Sequence, residues 1–276
     1  MRREATKAAL GSLSKRPNIQ PALACLLSLT LLITTLLLPL ACSEATSIPA
    51  GPPKAAIIDQ LYSLQPNEAF ISEVTRELED YGFAVDLFQG DEVTVELHKG
   101  LPSYGYKLII FRAHSGLLGS KEEIIERTCL FTNEPYSKTE HVAEQLSDQL
   151  AMARIDEHHP WVFGIGDKFV TQSMEGKFNN TVVIMMGCSC LYLDDLAQAF
   201  IGKGASAYLA WDATVALDYV DEATPYLLRQ LCLEKVSIKK AVASTMNAVG
   251  PDPQYKAVLG YFPPSSGGKT LEELIK

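Results

Sequence analysis

Apolar residues fall along this chain in two rhythms. Leu108-Ile-Ile-Phe111 and Val182-Val-Ile-Met-Met186 are unbroken apolar runs, largely β-branched and far too short to span a bilayer. Runs of this kind predict strands buried on both faces of a parallel sheet, the first over about 107–114 and the second over 182–186. Ala55-Ala-Ile-Ile58 and Ala207-Tyr-Leu-Ala-Trp211 predict two more, Phe83–Phe88 alternates into another, and Tyr255–Phe262 reads as a last strand. The second rhythm is helical. Phe70, Val74 and Leu78 repeat at a spacing of four, which predicts a helix to about Tyr81, with Asn67 as its cap and Gly82 as its stop. Further helices are predicted over about 139–153, 193–201, 217–233 and 237–248. Residues 91–100 stay ambiguous, because Val93-Thr-Val95 favours a strand and Gly100 suits a helix end. The stretch 117–180 is irregular, with a Cys129-Leu-Phe131 strand and a segment 161–171 carrying two glycines. Strands alternating with helices predict an α/β fold with a doubly wound, mainly parallel sheet and helices on both faces, as one domain over 55–276.

The N-terminus follows different rules. Arg2, Arg3, Lys7, Lys15 and Arg16 precede an uncharged, mostly apolar stretch from Pro21 to Ala41. A basic region, an apolar region and a small residue before a break describe an export signal or membrane anchor over 1–41. Cys42 stands where a bacterial lipoprotein signal places its lipidated cysteine, and the segment resembles a lipobox, with Pro39 where such signals usually carry Leu. Lipoprotein, uncleaved signal anchor and ordinary cleavage all remain open. Each leaves the positive charge inside and the globular part on the extracytoplasmic face of the cell membrane. Residues 42–54, rich in Ser, Thr and Pro, read as a tether.

The chain carries a net charge of −9. Five basic residues and one acidic, Glu4, give the leader +4, which leaves the body at −13. An acidic body argues against nucleic acid as a partner. Cys25 and Cys42 belong to the leader and its break, leaving Cys129, Cys188, Cys190 and Cys232 in the body. No CxxC or HExxH spacing occurs, and no metal or other cofactor is expected. Cys129 and Cys232 sit among apolar neighbours and read as core. His158-His159, beside Asp156 and Glu157, reads as a solvated loop.

The two strongest apolar runs end on reactive side chains. One ends at His114-Ser115-Gly116, the other at Gly187-Cys188-Ser189-Cys190. Open α/β sheets carry their sites at the C-terminal edges of strands, so an imidazole and a thiol fall where chemistry is expected. A strand ending in His, a long insert, a strand ending in Gly-Cys, then a helix and Ser206-Ala-Tyr-Leu-Ala-Trp211, resembles the caspase-like cysteine peptidases. That group includes caspases, legumains, clostripain, gingipains and CHAT domains, and the resemblance covers about residues 55–262 in element order. It implies Cys188 as nucleophile, His114 as general base, and backbone amides at Ser115, Gly116 and Cys188 as oxyanion donors, with Gly187 as the small residue before the nucleophile. Ser115 replaces the family's usual glycine after the histidine. Met186 stands where relatives that cleave after basic residues have Asp. Asp212, Trp211 and Met186 are candidates to line the substrate pocket.

The function implied is a membrane-tethered, extracytoplasmic cysteine endopeptidase acting on peptide or protein substrates, with membrane contact through its N-terminal anchor or lipid. The alternative is a catalytically silent caspase-like module that binds peptides or proteins at the cell envelope. A third is an α/β lipoprotein with structural cysteines. Cys190 is most simply a packing residue, and Arg112 suits an ion pair as well as a substrate contact.

Overall fold

The computed structural model describes residues 51–119 and 127–276. The export segment, Cys25, Cys42 and most of the expected tether lie outside the described residues. In chain order the strands are β1 (Lys54–Asp59), β2 (Ala84–Gln89), β3 (Tyr106–Arg112), β4 (Ser115–Leu118), β5 (Arg127–Pro135), β6 (Leu150–Ala153), β7 (Val162–Ile165), β8 (Thr181–Met185), β9 (Ala205–Trp211) and β10 (Leu259–Phe262). The helices are α1 (Glu68–Tyr81), α2 (Val95–Gly100), α3 (Val142–Leu146), α4 (Asp167–Gln172), α5 (Asp195–Gly202), α6 (Leu217–Leu228), α7 (Ile238–Val249) and α8 (Leu271–Leu274).

The main sheet runs β10-β9-β8-β3-β1-β2. Its neighbours pair in parallel except β10, which closes one edge antiparallel to β9. The apolar runs are continuous because alternate residues feed two separate cores. Ile57, Leu108, Ile110, Val182, Ile184 and Leu209 face one core, which α1, α6 and α7 cover with Phe70, Val74, Leu78, Val220, Leu227 and Val242. Ile58, Ile109, Phe111, Val183, Met185 and Tyr208 face the other, covered by α4 and α5 through Phe169, Val170, Leu196 and Phe200. Each fully buried side chain of this size contributes about 1.5–3 kcal/mol relative to exposure. The result is a mixed α/β fold whose mainly parallel sheet is flanked by helices.

Local signals act as the sequence predicts at α1. Asn67 accepts from the Phe70 N–H at 3.1 Å, and Gly82 ends the helix at φ +110, a conformation that costs glycine little. Residues 91–100 resolve in favour of a helix, since Thr94 caps α2 by accepting from the Leu97 N–H. The helix expected over 139–153 is a correction. Only Val142–Leu146 is helical, and Leu150–Ala153 forms β6, paired antiparallel with β7. Asp148 adopts φ +56, which ends the helical path, and cross-strand pairing overrides the helix propensity of the residues that follow. The last strand is likewise shorter than expected, starting at Leu259 rather than Tyr255.

The insert between β3 and β8 builds a second, antiparallel sheet of order β4-β5-β7-β6. Only two residues, Ala113 and His114, separate β4 from the end of β3, so the insert sheet starts directly at the C-terminal edge of the main sheet. That edge is braced by a buried ion cluster. Arg112 donates to Asp221 through Nε and an η nitrogen at 2.9 and 2.8 Å, and to Asp59 at 2.8 Å. Burial opposes charge on Arg112, but these carboxylates outweigh it and keep the guanidinium protonated more firmly than usual. The cluster ties the ends of β1 and β3 to α6. Arg112 therefore has a bracing role and is fully buried.

Candidate active site

β3 and β8 are paired neighbours, with Phe111 opposite Met185. Continuing the chain three residues past each partner brings His114 and Cys188 to the same edge. Both line one cleft of about 430 Å³, and both are partly exposed. Met186 forms part of the same wall.

The turn that carries Cys188 is tightly prescribed. A Cβ on Gly187 would stand 2.2 Å from Ser115 Oγ and 2.7 Å from the Ala113 carbonyl, so only glycine fits there. Ser189 takes φ +55, a left-handed conformation uncommon for a non-glycine residue, and donates its N–H to the Ala213 carbonyl at 2.9 Å. The reversal sends the two cysteines in opposite directions. Cys188 packs against the core that holds α6, with Sγ 3.6 Å from the Val215 carbonyl. Cys190 is fully buried in the other core, its Sγ 3.1 Å from Ser115 Oγ. Burial pushes the Cys190 and Cys129 thiols up to about 12, so neither is ionised near neutral pH. Cys129, Cys188, Cys190 and Cys232 are all free thiols.

Ser115 explains its own presence. Its hydroxyl donates to the Cys188 carbonyl at 2.6 Å and accepts from Cys190, clamping the start of the insert onto the cysteine turn. Its backbone is also informative. Phe131 N donates to the His114 carbonyl, and β4 and β5 pair Ser115 with Leu130. In an antiparallel ladder these pairs alternate, so the Ser115 N–H turns away from β5 while Gly116 faces it.

His114 is held through its backbone by Gln60, whose Oε1 accepts the His114 N–H at 2.9 Å. Gln60 in turn donates to Asn133 at 2.6 Å, and the Asn133 amide donates to the Gln60 and Gly90 carbonyls. This amide pair joins β1, β3 and β5. Burial first, then the nearby His159 and Arg112, holds the His114 imidazole below its ordinary pKa. Ordinary imidazole titrates near ~6.5, so His114 is neutral at neutral pH.

The remaining sequence candidates are placed elsewhere. Trp211 is buried, its ring packed edge-on against Tyr219. Asp212 is exposed and accepts the Val258 N–H at 2.7 Å. Neither lines the cleft. His159 sits 2.7 Å from Asp156, and among the described residues no group of three His, Cys, Asp or Glu side chains is placed to hold a metal ion. No helix among the described residues is long and apolar enough to cross a membrane.

Sequence reasoning missed Gln60, Val215, Leu217, Val220 and Tyr255, of which the last four line the cleft. Gln60 had a weak signal, being the second polar residue past a buried strand at the sheet edge where sites gather. The others had none: Leu217 and Val220 lie on α6, where apolar residues read as core, and Val215 and Tyr255 lie in connecting segments with no motif of their own. A second cavity, of about 400 Å³, opens on the insert sheet around Gly116, Phe131 and Trp161, and contains neither His114 nor Cys188.

No family model matches the chain, and no curated protein matches it. Among solved structures, it is similar to the Arg-specific cysteine proteinase gingipain R, with 13% sequence identity and a TM-score of 0.45. The overlap covers 72% of this chain and 42% of that one, so this chain spans less than half the length of that proteinase.

Proposed function

We propose that this chain is a cysteine endopeptidase of caspase-like, doubly wound fold, tethered to the membrane by its N-terminal segment and facing out of the cytoplasm. The observation that carries the reading is the emergence of His114 and Cys188 from the ends of paired parallel strands into one open cleft. In this reaction the Cys188 sulfur adds to the carbonyl carbon of a peptide bond while the His114 imidazole takes the thiol proton. The depressed pKa of His114 favours the neutral base that this step requires. The N–H groups of Ser115 and Cys188 donate to the developing oxyanion. His114 then passes the proton to the departing amine as the C–N bond breaks. Water, deprotonated by the same imidazole, cleaves the thioester and frees the thiol.

The membrane tether and the outward orientation rest on the basic leader, the apolar stretch to Ala41 and Cys42. Labelling by a peptidyl acyloxymethyl ketone tests the chemistry. Mass spectrometry is expected to find one adduct, on Cys188, that is lost in Cys188→Ala and strongly slowed in His114→Ala. A folded protein that takes no label would instead be the silent binding module.

A further inference from the structure

We infer that the cleft beside Cys188 accepts an uncharged, apolar side chain from the peptide, at the residue preceding the bond to be cut. The inference rests on the peptidase reading and names its substrate class.

Beside Cys188 the cleft is lined by Met186, Val215, Leu217, Val220 and Tyr255, with Thr214 and Gln254 as its uncharged polar side chains. A specificity pocket for a charged side chain needs an opposite charge that is free to meet it. Among the described residues, no Asp, Glu, Lys or Arg side chain lines this cleft, and carboxylates on the elements around it make hydrogen bonds elsewhere. The Asp212 carboxylate accepts the Val258 N–H. Asp221 is held by two hydrogen bonds from Arg112. Asp218 accepts from the Gln65 amide at 2.9 Å. Asp252 is fully buried and accepts three backbone N–H groups, from Ala216 at 2.8 Å, Gln254 at 2.8 Å and Tyr255 at 2.6 Å. Through these bonds Asp252 fixes the start of α6 and the 254–255 segment as the two sides of the cleft. The cation of Arg112 is likewise closed off, fully buried between Asp59 and Asp221.

An Arg, Lys, Asp or Glu side chain entering this space would shed water and meet no opposite charge among the residues that line it, which disfavours it. Leu, Met or Phe would gain by the apolar area it buries. Position 186 supports the same conclusion from sequence. It carries a thioether, a flexible filler of apolar space, and no carboxylate.

The test uses acyloxymethyl ketone probes that are identical except for the residue next to the reactive group: Leu, Phe, Arg or Asp. Second-order labelling of Cys188 is expected to favour Leu and Phe over Arg and Asp by on the order of 100-fold or more. Two variants then place a carboxylate at the rim: Thr214→Asp, at an exposed position, and Leu217→Asp, in the first turn of α6 where a carboxylate suits the helix dipole. Each is expected to move the preference toward the Arg probe by about 10-fold or more with folding intact by thermal melt. Arg or Asp probes that label the wild type as fast as Leu would overturn the apolar pocket and leave the peptidase standing. If no probe labels Cys188, the peptidase reading fails separately, and the same peptides as amides are titrated calorimetrically onto Cys188→Ala. Binding of the Leu and Phe peptides alone retains the pocket, while equal binding of all four, or of none, ends it.

Discussion

Two regions of this molecule carry the same pair of side chains and put them to opposite ends. At the C-terminal edge of the main sheet, His114 and Cys188 line an open cleft. In the core on the α5 side, His98 and Cys190 are fully buried, with His98 stacked on Phe111 at 5.8 Å. Burial pushes His98 down to about 4 and Cys190 up to about 12, so each is neutral across the physiological range. Cys188 and Cys190 are separated by one residue. An imidazole and a thiol become chemistry only where solvent and substrate can reach them, and where the backbone turns them outward.

The strongest way to break this comparison is to exchange the fates of the two cysteines. Cys188→Ala is expected to lower peptide hydrolysis by at least about 10³-fold, as loss of a nucleophile does, with little change in melting temperature. Cys190→Ala is expected to do the reverse, keeping hydrolysis within a few-fold and costing about 1–2 kcal/mol of stability by denaturant titration, the usual range for a small buried truncation. Loss of activity in both, or stability loss in Cys188→Ala alone, would erase the distinction.

The buried histidine gives the next largest effect. Below its ordinary value of 6.5 the unfolded chain takes up a proton on His98, while the folded protein does not until about pH 4. Stability therefore falls as pH drops through that window, by up to about 3 kcal/mol if the full shift is expressed. Urea unfolding of the wild type and His98→Leu from pH 7 to 4 checks it, and the variant's curve is expected to be flatter.

The smallest effect sharpens the cleft side. Because burial, His159 and Arg112 all lower His114, the acid limb of the pH–rate profile is expected below the ordinary imidazole value. His159→Gln removes one of those causes and should move that limb upward, leaving the rate at neutral pH nearly unchanged. A limb that does not respond would place the controlling group elsewhere.

How much of the fold and the site was legible in the sequence varied with the kind of residue. The strands of the main sheet were readable because burial on both faces requires apolar residues at every position, as in Leu108–Phe111 and Val182–Met186. α1 was readable because its cap, stop and stripe are local. The insert sheet was not, since β6 and β7 are four-residue strands whose identity comes from pairing with each other. Asp212 and Trp211 stand at the C-terminal end of β9, next to the site strand β8 in the sheet, and drew attention there, yet one bonds the backbone of the 258 segment and the other fills the core. Gln60 and Ser115 escaped notice as functional side chains because a single amide or hydroxyl looks alike whether it faces water or clamps a turn.

Sequence alone determined the strand–helix rhythm and the placing of an imidazole and a thiol at strand ends, because those depend on periodicity and on residues adjacent in the chain. Only the tertiary structure decided that β3 and β8 lie side by side, that Ser189 turns Cys188 toward solvent and Cys190 away, and that the nearby carboxylates are occupied. Those depend on contacts between segments far apart in the chain, and on competition among many possible partners that no local pattern encodes.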